Sequence, residues 1–181
     1  PISNVDWCYW HYPMVEVSGK TAGIIGYGAI GAKVAKRLKA FDMNILVYDP
    51  YIQDDSVQTV SLEELFQASD FVSVHCRLSK ENEKMIDYNL LSLMKPTAYF
   101  INTARAGLVD EDALKKVLKE KKIAGAAIDV FENEPPAKED LFLSLDNVTI
   151  TPHMAGTTSD AFRHSPFLLS EKMIEALSHG E

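Results

Sequence analysis

The chain has 181 residues, enough for one domain with a sizeable core, and its 46% apolar and 24% charged residues are those of an ordinary globular protein. Its 18 Lys and Arg against 26 Asp and Glu give a formal net charge of −8, which disfavours a nucleic-acid partner because such binding depends on neutralising phosphates. No apolar run approaches the ~20 residues that cross a bilayer, so no membrane partner is expected.

The first seventeen residues, PISNVDWCYWHYPMVEV, carry Trp7, Tyr9, Trp10 and Tyr12 in no clean period. So many aromatics at a free end are a liability unless they pack on something, and the segment reads as a lead-in cut from a longer protein. Cys8 and Cys76 have no spacing that suggests a metal or redox site, so no metal is expected and a reducing cytoplasm is the simplest compartment.

From Gly19 onward short apolar runs alternate with amphipathic stretches. The runs AGIIG, NILVYD, FVSVHC, AYFIN, AGAAID and NVTIT are apolar on both faces, as buried parallel strands are. Ser61, three residues before Glu64, marks a capped helix start, and Asp87 and Asp110 read as further N-caps. The basic run Lys119–Lys122 suits a solvated helix end. Residues 158–178 read as one long amphipathic helix in which Pro166 should produce a kink or a break. Six strands alternating with helices predict an α/β fold, a Rossmann-like doubly wound parallel sheet with helices on both faces.

The first strand runs into GYGAIG. Gly26 permits a tight turn, Gly28 lets backbone approach a pyrophosphate, and Gly31 lets the helix pack against the strand. Ala29 and Ile30 complete this expected cofactor turn, and with Ala29 the pyrophosphate contact must come from backbone N–H groups at a helix N-terminus. Asp49 closes the next strand about twenty residues on, where a carboxylate accepts from a ribose diol and repels a 2′-phosphate. The cofactor expected is therefore NAD rather than NADP.

Three later stretches, INTARAGLVDE, AIDVFENEP and TPHMAG, each follow an apolar strand and should open on one sheet edge. They bring Arg105, Asp129, Glu134 and His153. Singly, such residues are more often structural. Together, on one edge beside a dinucleotide turn, they form a candidate catalytic set. Histidine moves a proton near neutrality, a carboxylate orients its ring, and an arginine fork matches a substrate carboxylate.

In this order and spacing, GYGAIG, NTARAGLVDE, DVFENEP and TPHMAG resemble the NAD-binding domain of the D-isomer-specific 2-hydroxyacid dehydrogenases. The resemblance covers nearly the whole chain, with residues 18–181 as that domain and 1–17 resembling a segment that crosses between domains. It implies that Arg105 grips the substrate carboxylate and polarises its carbonyl, that His153 is the acid/base, and that Glu134 hydrogen-bonds His153. It implies that Asp129 contacts the nicotinamide amide and that Thr103, Ala104 and Gly156 lie at cofactor-contacting positions. His75 closes a strand and is assigned no catalytic role. Glu134 stands where formate dehydrogenases of this group carry Gln, which argues against formate. Arg77 stands where the family usually has Pro.

The resemblance further implies a substrate domain not present in this sequence, weak or no turnover by this chain alone, and a homodimer. The alternative reading is an NAD-sensing, corepressor-like regulatory module of the same family. The partner expected of an enzyme is a 2-hydroxyacid or 2-ketoacid.

Overall fold

The computed structural model describes residues 14–52, 54 and 56–179. The aromatic lead-in and Cys8 lie outside them, as does most of the predicted crossing segment. Seven strands form one sheet: β1 (Thr21–Ile25), β2 (Asn44–Tyr48), β3 (Gln58–Thr59), β4 (Phe71–Val74), β5 (Tyr99–Asn102), β6 (Gly125–Ile128) and β7 (Val148–Ile150). All pair in parallel, in the order β3-β2-β1-β4-β5-β6-β7. The six predicted runs are all strands. β3 is the addition, two exposed residues with no apolar pattern to announce them.

Among the described residues four α-helices lie between the strands, α1 (Gly31–Lys39), α2 (Leu62–Ala68), α3 (Tyr88–Ser92) and α4 (Glu111–Lys119), and α5 (Ser159–His179) follows β7. The expected caps are in place. Ser61 Oγ accepts from the Glu64 N–H at 3.1 Å, Asp87 Oδ1 from the Leu90 N–H at 2.9 Å, and Asp110 Oδ1 from the Ala113 N–H at 3.2 Å. Each satisfies one of the donors a helix start leaves free. At the end of α4, Lys116 and Lys122 lie over the Tyr88 ring, so the basic run is partly laid on an aromatic face.

Period-2 alternation splits the core between the two faces of the sheet. Ala22 and Ile24 of β1 face α1 with Ala35, Ile45 and Val47. Ile25, Val72, Phe100 and Ile128 face α2, α3 and α4 with Phe66, Leu91 and Val117. On the α1 side of β4–β6, Phe71 and Tyr99 stack with ring centroids 5.6 Å apart and line a shallow trough with Ile101 and Ala127. No described helix covers that trough.

The helix α5 is the one long helix expected, and of the two effects expected of Pro166 it shows no break. The missing Pro166 N–H removes one bond from an exposed helix where water can serve the freed carbonyl. Its apolar side chains, including Phe162, Phe167, Leu168 and Ile174, stay exposed. The apolar positions are present, but among the described residues they have no packing partner.

Helix α1 sits tightly on the first turn. A methyl group added at Gly31 would run into the Gly26 carbonyl oxygen, whereas one added at Gly156 would meet nothing within 4 Å. Gly31→Ala is expected to lower unfolding free energy by about 1–3 kcal/mol, as overpacking does. Gly156→Ala should leave it unchanged, and urea titration of the two variants makes the comparison.

Candidate active site

Because every strand points the same way, the carboxyl ends of β1, β2, β4, β5, β6 and β7 lie along one edge. The strand order reverses between β1 and β4, the position where open α/β sheets hold ligands. At that point Gly26 adopts φ +89, and a Cβ there would meet the Cys76 amide nitrogen at 2.6 Å. A side chain is excluded on both counts. The turn is tied to both neighbouring strands: the Gly26 N–H donates to the Tyr48 carbonyl at 2.8 Å, and the His75 N–H donates to the Ile25 carbonyl at 2.7 Å. Asp49 lies across it and accepts from the Tyr27 N–H at 2.8 Å through one oxygen and from the Tyr51 N–H at 2.9 Å through the other.

A dinucleotide needs open space and free donors at this place. Both are present. A Cβ at Gly28 would meet nothing within 4 Å, and α1 starts at Ile30 without a side-chain cap. The N–H groups of Gly28, Ala29, Ile30 and Gly31 have no acceptor among the described residues. Four unpaired donors at the positive end of a helix form a cradle for phosphate oxygens. Ile30 beside them keeps its side chain 66% exposed.

The second cluster follows β5, β6 and β7. Arg105 comes three residues after the end of β5 in an extended conformation that starts a short 3-10 turn, Ala106–Leu108. Buried Asn102 shapes that loop. Its amide nitrogen donates to the Arg105 carbonyl at 3.0 Å, and its oxygen accepts from the Ala104 N–H at 3.0 Å. One guanidinium nitrogen of Arg105 donates to the Ala104 carbonyl at 2.6 Å, and the side chain is exposed, as is Thr103.

His153 and Glu134, nineteen residues apart in the chain, meet with Nδ1 and Oε2 at 2.8 Å. The other oxygen of Glu134 accepts from the Phe131 N–H at 3.0 Å. The His153 hydrogen bond, with help from the Phe131 N–H, holds the Glu134 carboxyl below the usual carboxylate range. His153 itself sits at φ +50, a left-handed backbone uncommon for a non-glycine residue. Its N–H donates to the Asp129 carbonyl at 2.8 Å.

Asp129 is 1% exposed. Its Oδ1 accepts from the Thr151 hydroxyl at 2.5 Å and the Met154 N–H at 2.8 Å, and its Oδ2 accepts from the Ala155 N–H at 2.9 Å. Burial pushes this carboxyl up, but the bonds from Thr151, Ala155 and Met154 outweigh it, so its pKa is lowered. Asp129 therefore clamps the turn that carries His153 and Gly156, a task the sequence reading did not assign. Asn102 was missed too. A polar residue closing an otherwise apolar strand was the available signal in both cases. His75, at the end of β4, turns its ring to the Ser73 hydroxyl at 2.9 Å, and burial lowers its pKa.

With this geometry in hand, residues 3–155 match the family described as D-isomer specific 2-hydroxyacid dehydrogenase, NAD binding domain. The chain belongs to that family. It is 47% identical over 161 residues to the putative 2-hydroxyacid dehydrogenase YoaD of Bacillus subtilis, covering 87% of this chain and 47% of that protein. It is 43% identical over 180 residues to a glyoxylate reductase of Korarchaeum cryptofilum, covering 95% and 54% respectively. An acyclic imino acid reductase solved with NADPH and D-Arg superimposes with a TM-score of 0.89 at 34% identity, over 97% of this chain and 56% of that one. An NAD-complexed D-isomer specific 2-hydroxyacid dehydrogenase of Lactobacillus delbrueckii superimposes with a TM-score of 0.82 at 29% identity, over 94% and 57%. The chain thus spans between about a third and about half of the length of the curated relatives it matches, as their NAD-binding domain.

The lowered Asp129 pKa sets a sign. Its stabilisation is fully present above the ordinary carboxylate value near ~3.9 and is lost as pH falls through the lower folded value. Asp129→Asn should cost about 1–3 kcal/mol at neutral pH, the scale of lost hydrogen bonds to a charged group. Denaturant titrations should show that gap constant above pH about 5 and closing below about 4.

Proposed function

We propose that this domain serves an NAD-dependent oxidoreductase interconverting a D-2-hydroxyacid and its 2-ketoacid. The observation that carries the reading is the 2.8 Å pairing of His153 with Glu134 on the sheet edge shared by Arg105 and the glycine turn. The nicotinamide, when bound, supplies or accepts the hydride. With Nδ1 facing Glu134, the Nε2 of His153 is the nitrogen free to give a proton to the carbonyl oxygen or take it from the hydroxyl. Glu134 orients the ring through Nδ1 and so aims Nε2 at the reacting oxygen. The exposed fork of Arg105 suits the substrate carboxylate and lies two strands from His153, near enough to polarise a carbonyl between them. Three of the roughly four acceptor sites of Asp129 are taken, which leaves about one for the nicotinamide amide.

NAD is the favoured cofactor because the Asp49 carboxylate occupies the end of β2, where a 2′-phosphate would meet a like charge. Relatives named glyoxylate reductase, glycerate dehydrogenase and D-3-phosphoglycerate dehydrogenase support small hydroxyacids and ketoacids as the substrate class. A homodimer in the cytoplasm belongs to the same reading. The exposed apolar side chains of α5 support self-association.

A panel of D-2-hydroxyacids and 2-ketoacids offered to the full-length protein tests the activity. No turnover of any member would sink it. His153→Ala should lower kcat/KM by about 10²–10⁴-fold, the usual share of a positioned acid/base, with NAD affinity unchanged. An unaltered rate removes His153 from the mechanism. Direct titration should also show NAD bound at least tenfold more tightly than NADP, on the order of 1.4 kcal/mol.

A further inference from the structure

The cofactor turn has donors but no cation. From Gly26 to Ala32 every side chain is apolar or absent, apart from the Tyr27 phenol. A pyrophosphate brings two negative charges to a chain whose own formal net charge is −8. Free N–H groups and a helix end stabilise such charge, yet a facing guanidinium would do so more strongly.

Arg77 is placed to supply one. It follows β4, the strand beside β1 at the reversal of strand order. Cys76, its neighbour, abuts the turn: a Cβ at Gly26 would stand 2.8 Å from the Cys76 α-carbon. Adding one ~3.8 Å step along the chain puts the Arg77 α-carbon within roughly 8 Å of that of Gly26, a span an extended arginine side chain can cover. The Arg77 backbone is held on both sides. Its carbonyl accepts from the Asn82 amide at 2.7 Å, and Leu78 packs over Gly107, where an added Cβ would lie 2.9 Å from it. The side chain is exposed and enters no ion pair among the described residues. Asp49 follows β2, on the other side of β1, and forms no ion pair with Arg77; its two oxygens accept from the Tyr27 and Tyr51 N–H groups.

We propose that Arg77 is the cation that pairs with the cofactor pyrophosphate across the glycine turn. It would close over the phosphates from the β4 side while the α1 N–H groups hold them from the other. The proposal rests on NAD binding at this turn and is independent of the hydride-transfer reading.

Calorimetric titration of the full-length protein with NAD, ADP-ribose and NADPH tests it. ADP-ribose keeps the pyrophosphate and lacks the nicotinamide. Arg77→Ala should weaken NAD and ADP-ribose alike, by about 5- to 20-fold, the scale of one partly exposed charge-assisted hydrogen bond. It should also flatten the salt dependence of both affinities. Arg77→Lys should restore part of the loss, because it keeps the charge without the fork. Thermal melting without ligand should match the wild type for both variants. Unchanged affinity of Arg77→Ala for NAD overturns the proposal. So does a loss confined to NAD, which puts Arg77 at the nicotinamide end, or one confined to NADPH, which puts it at the 2′-phosphate. If the wild type binds none of the three, the cofactor reading of the turn fails first, and this proposal fails with it.

Discussion

The parallel polarity of the sheet is the constraint on which the other features depend. Each strand is followed by a crossover that returns the chain to the opposite edge before the next strand begins. Every strand therefore delivers its following loop to the same edge. Gly26 follows β1, Asp49 follows β2, Arg77 follows β4, Arg105 follows β5, Glu134 follows β6 and His153 follows β7. Residues spread over more than a hundred positions are thereby brought to one edge. The strand order also separates them into two groups. The turn and Asp49 stand on one side of the reversal, and the ionisable trio stands on the other.

The edge alone does not aim a side chain, and the last increment of placement comes from buried polar residues at strand ends. Asn102 holds the loop that ends in Arg105, and Asp129 gathers the turn that carries His153. Such groups are stable in the interior only when their hydrogen bonds are filled, and here they are filled by the backbone they shape. The left-handed backbone of His153 is tolerated because its N–H is bonded to the Asp129 carbonyl as well. The imidazole is thus oriented twice, by Glu134 at the ring and by Asp129 at the main chain.

Much of this was legible in the amino-acid sequence. Six apolar runs appear as six strands, because a strand buried on both faces needs apolar side chains on both. The three predicted caps hold because Ser and Asp before a helix have one local partner, the N–H three residues on. The glycine turn was legible because Gly26 and Gly31 stand where backbone conformation and close packing leave no room for a side chain. What escaped notice has physical causes. β3 is two exposed residues held by pairing to β2, so it leaves no apolar trace. Of the kink or break expected at Pro166, the break did not occur, because an exposed helix can lose one bond to water. The resemblance implied a nicotinamide contact for Asp129, and its clamp on the turn went unassigned. Its three bonds to Thr151, Met154 and Ala155 depend on a fold that brings β7 beside β6.

The bond from the Tyr27 N–H to Asp49 has a further meaning for anyone redesigning nucleotide choice. The carboxylate proposed above to discriminate at the sugar also braces the glycine loop. Replacing it with a neutral or basic group to admit a phosphorylated ribose would leave that amide without its acceptor. On that proposed role, selectivity and loop order are coupled, and a successful exchange needs a second substitution that gives Tyr27 a new acceptor.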